Sequence, residues 1–269
     1  MNKSEIFKYF KGYCDDFEKA YSYIKSHFDN PEVYSKELCQ MRGYVSQEQL
    51  NLIKEMEIGQ CEITDVSGLG NRAYDLGLLS QSANFLLGGR YIIPIRDIRG
   101  NLLSLVGYFP DKKKYITTPS HFFSKDVLFF NLDNAYRLSW SEYDGVVFLV
   151  EGMFDCLSMR SIGLPCIATM GSTVGRSKCA ILKLFKKVIY IPDNDDVGRR
   201  ALNRHDKAHG WVVPHNATGI RLKGSLTLGD EVHKVKDVDN LVSWYDADSV
   251  REVLLQFTSS TDEVVDLVL

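Results

Sequence analysis

Apolar residues recur with helical spacing along the first part of the chain. A stripe from Ile6 to Ile24 predicts a first helix that runs from Ser4 to about His27. The pair Asn30-Pro31 places proline at a first helical position, and the S-x-x-Q capping box that begins at Ser46 predicts a further helix. The chain is therefore predicted to be mostly helical up to about residue 80.

The spacing of apolar residues then shortens to that of strands. This pattern covers Arg90 to Phe130 and is interrupted by turn residues at 99–101 and 109–111. Short alternating runs that are separated by such turns are typical of hairpins. We therefore predict an antiparallel meander after the helical part.

Farther along, short apolar runs alternate with helical stretches. Val146 to Val150 is too short for a globular helix and rich in β-branched residues, so it predicts a buried strand. Such alternation implies right-handed crossovers and a mostly parallel sheet, hence an α/β fold. The predicted elements are, in chain order, a strand at 146–150, a helix at 153–162, a strand at 165–169, a helix at 176–186, a strand at 188–191, a helix at 199–209, an edge strand at 219–223 and two short helices after residue 239.

Acidic residues follow two of these predicted strands. Glu151 ends the first, Asp155 lies in the first turn of the next helix, and Asp193 and Asp195 follow the third strand. Ligands bind at the carboxyl ends of strands in open α/β sheets, and converging carboxylates favour Mg²⁺ or Mn²⁺. Taken alone, residues 193–195 fit a helix N-cap equally well. Together with Glu151 and Asp155, they favour a metal site.

The overall charge conceals a basic part of the chain. The 269 residues carry a net charge of −3, but residues from Asp237 onward contribute −7 and leave +4 on the rest. Two blocks, 90–125 and 176–187, are locally basic and could neutralise phosphates, although 176–187 fits a solvated helix face better. The tail beyond Phe257 is acidic and predicted to be mobile. A docking role for the acidic residues from Asp246 onward stays open beside a merely solvating one.

Cysteine spacing and hydropathy argue against several classes of protein. The six cysteines form no CxxC pair and lie at no zinc-finger spacing from histidine, so we expect no structural zinc and a reducing compartment. The longest apolar run is only a strand, and the start of the chain does not resemble a signal peptide, so we expect no membrane association. The cysteines are Cys14, Cys39, Cys61, Cys156, Cys166 and Cys179.

Several short motifs stand at the ends of the predicted strands: residues 151–155 read EGMFD, 170–173 read MGST and 192–201 read PDNDDVGRRA. Together they resemble the Toprim domain of DnaG-type bacterial primases. Upstream, RYIIPIRDIRG at 90–100 and KYITTP at 114–119 resemble primase segments of the same order. The order and spacing of these motifs make the resemblance specific.

The resemblance extends over most of the chain. Residues 41–44, MRGY, resemble the RG segment of the family's amino-terminal subdomain, and 236–239, KDVD, resemble its KDPD segment. Gly88 departs from the pattern, because the family commonly has an arginine there. The resemblance implies a Rossmann-like parallel sheet with helices on both faces, preceded by a helical and antiparallel-strand subdomain. We predict three parts: 1–140, 141–222 as the Toprim domain, and 223–269.

The resemblance also implies roles for individual residues. The predicted catalytic residues are Glu151, Asp193 and Asp195, with Glu151 also a candidate general base. The same three residues, with Asp155, Asp237 and Asp239, are predicted to hold two or more Mg²⁺ or Mn²⁺ ions. Asp239 could instead cap the helix from Asn240. The predicted nucleotide-binding or template-binding residues are Arg42, Arg90, Lys114, Lys125, Gly171 and Arg199.

The function implied by the resemblance is a DNA-dependent RNA primase of a phage or mobile element in a bacterial cytoplasm. Its expected partners are single-stranded DNA, ribonucleoside triphosphates, a replicative helicase and a separate zinc-binding protein. Two alternatives stay open: a Toprim nuclease, against which RYIIPIRD and KYITTP argue, and a catalytically silent nucleic-acid-binding accessory.

Overall fold

The computed structural model places the chain in two compact units, 1–124 and 125–269. The predicted three-part division stays a prediction. The predicted helix at Asn30-Pro31 and the predicted site residue Arg42 lie outside the described residues. The structure describes residues 3–28, 37–38, 46–112, 114–119, 125–171, 174–202, 216–223, 225–228, 231–260 and 264–268.

Helices form around an aromatic core in the first unit. The predicted first helix is confirmed as α1, and its apolar stripe buries Phe17, Tyr21 and Ile24 completely. The capping box at Ser46 is also confirmed, since Gln49 N donates to Ser46 Oγ at 3.2 Å and Ser46 N donates back to Gln49 Oε1 at 3.2 Å. The described helices of this unit are α1 (Lys3–Lys25), α2 (Gln47–Glu55) and α3 (Arg72–Asp75).

The predicted meander is an antiparallel sheet of four strands in the order β1-β2-β3-β4. Its regular pairing ends at Thr117, earlier than the predicted Phe130. Phe130 instead forms an isolated bridge with Ala168 in the second unit. The strands are β1 (Gly59–Cys61), β2 (Arg90–Arg96), β3 (Leu102–Phe109) and β4 (Lys114–Thr117).

The second unit is built on a five-stranded parallel sheet, which confirms the predicted α/β fold. Its strand order is β11-β8-β7-β5-β6, with an antiparallel hairpin of β9 and β10 outside the sheet. The strands are β5 (Val146–Val150), β6 (Cys166–Ala168), β7 (Lys187–Tyr190), β8 (Ala217–Lys223), β9 (Ser225–Leu228), β10 (Glu231–Lys234) and β11 (Val264–Val268). The helices are α4 (Leu132–Glu142), α5 (Met153–Ser161), α6 (Arg176–Leu182), α7 (Asp196–Ala201), α8 (Val238–Trp244) and α9 (Ala247–Gln256).

The strand order creates a switch point between β5 and β7. The chain leaves β5 toward β6 on one side, and leaves β7 toward β8 on the other side. Right-handed crossovers in opposite directions place their helices on opposite faces and open a crevice at the carboxyl ends of the two strands. The predicted acidic residues Glu151, Asp193 and Asp195 follow these two strands. The fold therefore brings them to one place, the acidic crevice.

Two expectations for the carboxyl-terminal part were wrong. Residues 219–223 belong to a strand, as predicted, but β8 is an inner strand because β11 pairs with it in parallel. The tail was expected to be mobile, yet Val264–Val268 forms this outer strand. Asp266 there pairs with Arg221 at 2.9 Å and with Lys223 at 2.5 Å, which compensates the charge that suggested a solvated tail.

Within the described residues, no helix is long and apolar enough to cross a bilayer.

Candidate active site

Glu151 lies where the carboxyl ends of β5 and β7 meet. The backbone N–H of Asp193 approaches Glu151 Oε1 at 3.4 Å, and the hydroxyl of Tyr190 approaches the same oxygen at 3.5 Å. Tyr190 is the last residue of β7, the strand next to β5, and Asp193 lies in the loop that follows it. The fold therefore brings Glu151 and Asp193 together, as the sequence predicted, and adds Tyr190, which the sequence analysis missed because it reads as an ordinary strand residue.

The surroundings of Glu151 and Asp193 raise the pKa values of both carboxyl groups above their ordinary values. Burial raises the pKa of Glu151 to about 7, with a further contribution from Asp193 and Asp195. Burial and the nearby Asp237 and Asp195 raise the pKa of Asp193 to about 6. The protein thus holds these groups close together without enough positive charge of its own to offset them.

Asp195 and Asp237 each cap a helix. Asp195 Oδ1 accepts from Gly198 N at 2.7 Å, and Asp237 Oδ1 accepts from Asn240 N at 2.9 Å. The N-cap alternative is therefore correct for Asp195, and α7 begins at Asp196 rather than at the predicted Arg199. Each cap uses one carboxylate oxygen for the described bond, so capping and metal binding are compatible.

Asp155 and Asp239, in the first turns of α5 and α8, contact each other. Asp155 Oδ1 accepts from Asp239 N at 3.1 Å, and Asp239 Oδ1 accepts from the Ser158 hydroxyl at 2.5 Å. Burial, with Asp237 and Asp193 adding to it, raises the pKa of Asp155 well above its ordinary value. Asp239 lies in the first turn of α8, whose cap is Asp237, so the alternative role of Asp239 as a cap is wrong.

Two glycines allow this close packing. A Cβ on Gly152 would lie 2.2 Å from Asp155 Oδ2, and a Cβ on Gly198 would lie 1.9 Å from the Asp193 carbonyl oxygen. Neither distance is possible for a real side chain. Glycine is therefore required at positions 152 and 198 because a larger residue would clash with the neighbouring acids.

The loop after β7 is tied to the segment before α8. Asn194 N donates to Lys236 O at 2.6 Å, and Asn194 Nδ2 donates to Val235 O at 2.9 Å. These bonds bring the acids of the KDVD segment toward those that follow β7. Asn194 was not among the predicted site residues, because an asparagine between two aspartates is typical of a turn.

The loop after β6 runs beside Glu151. Met170 N donates to Glu151 O at 3.1 Å, and Met170 adopts a φ of +55° that few non-glycine residues reach. The predicted Gly171 follows Met170 and is exposed, and its carbonyl oxygen accepts from the Thr169 hydroxyl. The structure thus places Gly171 one residue after the backbone bond between Met170 and Glu151.

The predicted basic residues of the second unit lie on its surface. Arg199 pairs with Asp196 at 2.6 Å and donates to the Asn194 carbonyl oxygen at 3.2 Å. Lys125 begins a short 3₁₀ turn and is exposed. Arg199 is therefore engaged by the loop after β7, while Lys125 extends into solvent.

The predicted basic residues of the first unit lie on its antiparallel sheet. The Arg90 guanidinium lies 5.6 Å from the centre of the Phe109 ring, and its Nε donates to Leu86 O at 3.2 Å. A Cβ on Gly107 would lie 2.6 Å from Arg90 Cδ, so this glycine gives the arginine its path across the sheet. Lys114 is exposed on β4, opposite Phe109 in the register.

The donor chemistry of the crevice fits a hard divalent cation. Carboxylates with raised pKa values, held near one another, are the oxygen donors that Mg²⁺ and Mn²⁺ prefer. Among the described residues, however, no three acidic, histidine or cysteine side chains converge closely enough to hold an ion by themselves. Binding would therefore need small side-chain rotations or oxygen ligands from substrate and water.

Comparisons with known proteins agree with this geometry. Residues 148–212 match the Toprim-like family. The DNA primase of Aquifex aeolicus is 36% identical over 119 residues, which are 42% of this chain and 24% of that protein. A DnaG catalytic core has a TM-score of 0.67 at 20% identity, with 92% of this chain and 83% of that chain covered. A DnaG primase catalytic domain bound to single-stranded DNA has a TM-score of 0.67 at 17% identity, with 91% and 80% covered.

These similarities concern different lengths of chain. The sequence match to the Aquifex primase covers about a quarter of that protein, whereas the fold match covers most of both chains. The resemblance predicted from EGMFD and PDNDD is confirmed, because both motifs lie in the Toprim-like segment. The chain thus has the fold of DnaG catalytic cores, and its residues 148–212 are similar to the Toprim-like family.

Proposed function

We propose that this chain synthesises short RNA primers on single-stranded DNA. The observation that carries the proposal is the pairing of Glu151 with Asp193 at the switch point of a Toprim-like sheet. The similarity to DNA primases and the shared DnaG core fold support the same activity. The substrates proposed are ribonucleoside triphosphates, with single-stranded DNA as template.

In this proposal, Glu151, Asp193 and Asp195 would hold divalent cations, and Asp237 would contribute from the facing segment. When bound, such cations stabilise the charge on the triphosphate and on the attacking 3′-oxygen. Glu151 is also the proposed general base that accepts the proton of the attacking hydroxyl. The Asp193 amide and the Tyr190 hydroxyl orient the carboxylate for this step.

Cations in the two units would bind phosphates of template or nucleotide. Arg90 is held by Phe109 and Leu86, so its terminal nitrogens are oriented before any ligand arrives. Lys114 and Lys125 are exposed lysines that can follow a flexible strand. Phosphate contacts of this kind carry little sequence information, so template binding by this chain should be weakly specific.

The biological setting belongs to the proposal as well. We place the chain in DNA replication of a phage or mobile element in a bacterial cytoplasm. A replicative helicase and a separately encoded zinc-binding protein are the partners that would supply template recognition.

The test is a priming assay with radiolabelled ribonucleotides, a mixed-sequence single strand, and Mg²⁺ or Mn²⁺. Labelled primers that need both template and metal would support the proposal. Degradation of the strand would indicate a nuclease, and binding without synthesis would indicate an accessory protein. A Glu151→Gln variant in parallel separates synthesis by this site from contamination by another polymerase.

A further inference from the structure

Lys178 is a buried cation near the acidic crevice. It lies in the first turn of α6, and only 6% of the residue is exposed. Its Nζ donates to the Thr169 carbonyl oxygen at 2.6 Å and lies 5.6 Å from the centre of the Phe129 ring. No carboxylate of the described part of the chain lies within ion-pair distance of this ammonium group.

Burying such a group costs free energy. Lysine is almost never fully buried without a charge partner, because the ammonium loses its hydration. Burial lowers the pKa of Lys178, against a weaker opposing effect of Asp126 in the turn Lys125–Val127. A methionine of similar length would fill the same space without that cost. The position of Lys178 therefore calls for an explanation other than stability.

The partner of Lys178 connects it to Glu151. Thr169 is the first residue after β6, and its N–H donates to Val150 O at 2.9 Å. The next residue, Met170, holds its strained φ of +55° while its N–H donates to Glu151 O at 3.1 Å. Lys178 thus fixes the first carbonyl of a loop that is bonded to the backbone of Glu151.

We propose that Lys178 is a positioning residue, whose buried ammonium holds the loop 169–171 against the end of β5 and thereby sets the orientation of Glu151. This inference rests on the proposed primer synthesis at Glu151. Lys178 itself need not touch substrate, since it acts through the Thr169 carbonyl and the Met170 amide. Burying the Lys178 ammonium lowers the free energy of unfolding but fixes the orientation of the Glu151 carboxylate. Such a loss of stability is common at functional sites.

The test compares Lys178→Met with Lys183→Met, which removes an exposed cation at the end of the same helix. For Lys178→Met, we expect an unchanged or higher free energy of unfolding, because a desolvated charge is removed. We expect kcat for primer synthesis to fall about tenfold or more, with the KM for nucleotides within about twofold, because a small misplacement of a catalytic group is costly. Lys178→Arg should recover part of kcat, and Lys183→Met should change none of these quantities.

Hydrogen exchange supplies a measurement that is independent of activity. The Met170 amide should exchange faster in Lys178→Met, while the amides of β5 and β7 should exchange as in the wild type. A variant that is destabilised or unfolded would show that the ammonium is structural, and a variant with wild-type kcat and exchange would also overturn the inference. If the wild type makes no primer under any metal condition, the proposed function itself fails, and the inference fails with it.

Discussion

In the first unit, Glu18 and Glu57 lie against Arg96, whereas in the second unit Glu151 and Asp193 lie against each other. Arg96 contacts Glu18 at 2.8 Å and Glu57 at 3.1 Å, and Lys25 also pairs with Glu57. Burial acts to raise the pKa of Glu57, but Lys25 and Arg96 outweigh it and lower that pKa. At Glu151, burial and neighbouring acids act in the same direction and raise the pKa to about 7.

The difference separates a charge cluster that the protein compensates by itself from the candidate functional cluster. The acids of the first unit are compensated by the protein, so the cluster needs nothing from outside. The acids of the crevice are compensated only when they take up protons or a cation. The same residue types therefore indicate different roles, and the sign of the pKa change distinguishes them.

The largest effect is expected from Glu151→Gln. This variant keeps the size of the side chain but removes charge from the crevice, so primer synthesis should fall by at least ~100-fold. The free energy of unfolding should stay the same or rise, because repulsion with Asp193 is relieved. Glu142→Gln, at an exposed position, is the matched control for both assays. Near-normal primer synthesis by the Glu151→Gln variant would show that Glu151 is not a catalytic residue.

The opposite result is expected from Arg96→Met in the first unit. Removing the guanidinium leaves Glu18 and Glu57 without their shared partner, and the free energy of unfolding should fall by about 1–2 kcal/mol for this partly exposed cluster. Once the protein is folded, the rate of primer synthesis should be retained. Urea unfolding and priming assays measure the two quantities, with Arg99→Met as the exposed control. Lost activity in a folded Arg96→Met variant would contradict the division into two kinds of cluster.

A smaller effect, on DNA binding, is expected from replacing the basic residues that are proposed to bind phosphates. Arg90→Ala and Lys114→Ala should each weaken binding of single-stranded DNA and reduce the slope of log K against log salt by about 0.7. Arg99→Ala should leave the slope unchanged, and Mn²⁺ binding by calorimetry should survive in all three variants. An Arg90 variant with the wild-type slope would indicate that the Arg90–Phe109 contact serves the fold alone.

The smallest effect concerns the pH dependence of stability in metal-free buffer. The pKa of Glu57 is lowered on folding, so its contribution is present above its unfolded pKa near 4.5 and is lost as the pH falls through the lower folded value. The pKa of Glu151 is raised on folding, so its contribution is present below about 4.5 and is lost as the pH rises through about 7. Glu57→Gln should flatten the acidic side of the stability curve, and Glu151→Gln should flatten the side between pH 4.5 and 7. Equal curves for the two variants would show that the clusters do not differ in electrostatics.

The sequence predicted the parallel sheet and the meeting of Glu151 with Asp193, because both follow from apolar spacing and from strand ends. It did not predict Tyr190 or Lys178. Both lie within segments whose periodicity marks them only as strand or helix positions, and their partners come from other elements. β11 was also missed, because a five-residue run with Asp266 in it looks solvated until its pairing with Arg221 and Lys223 is known.

The late position of β11 has a consequence for synthesis of the chain on the ribosome. β8 emerges well before Val264–Val268, so its outer edge has no partner while the intervening segments are made. An unpaired strand edge can pair with other nascent chains, and translation adds only about 5–20 residues per second. The parallel sheet would thus pass through a stage of several seconds in which four strands are present and the fifth is not. We expect a nascent chain stalled before Val264 to aggregate more readily than the full chain.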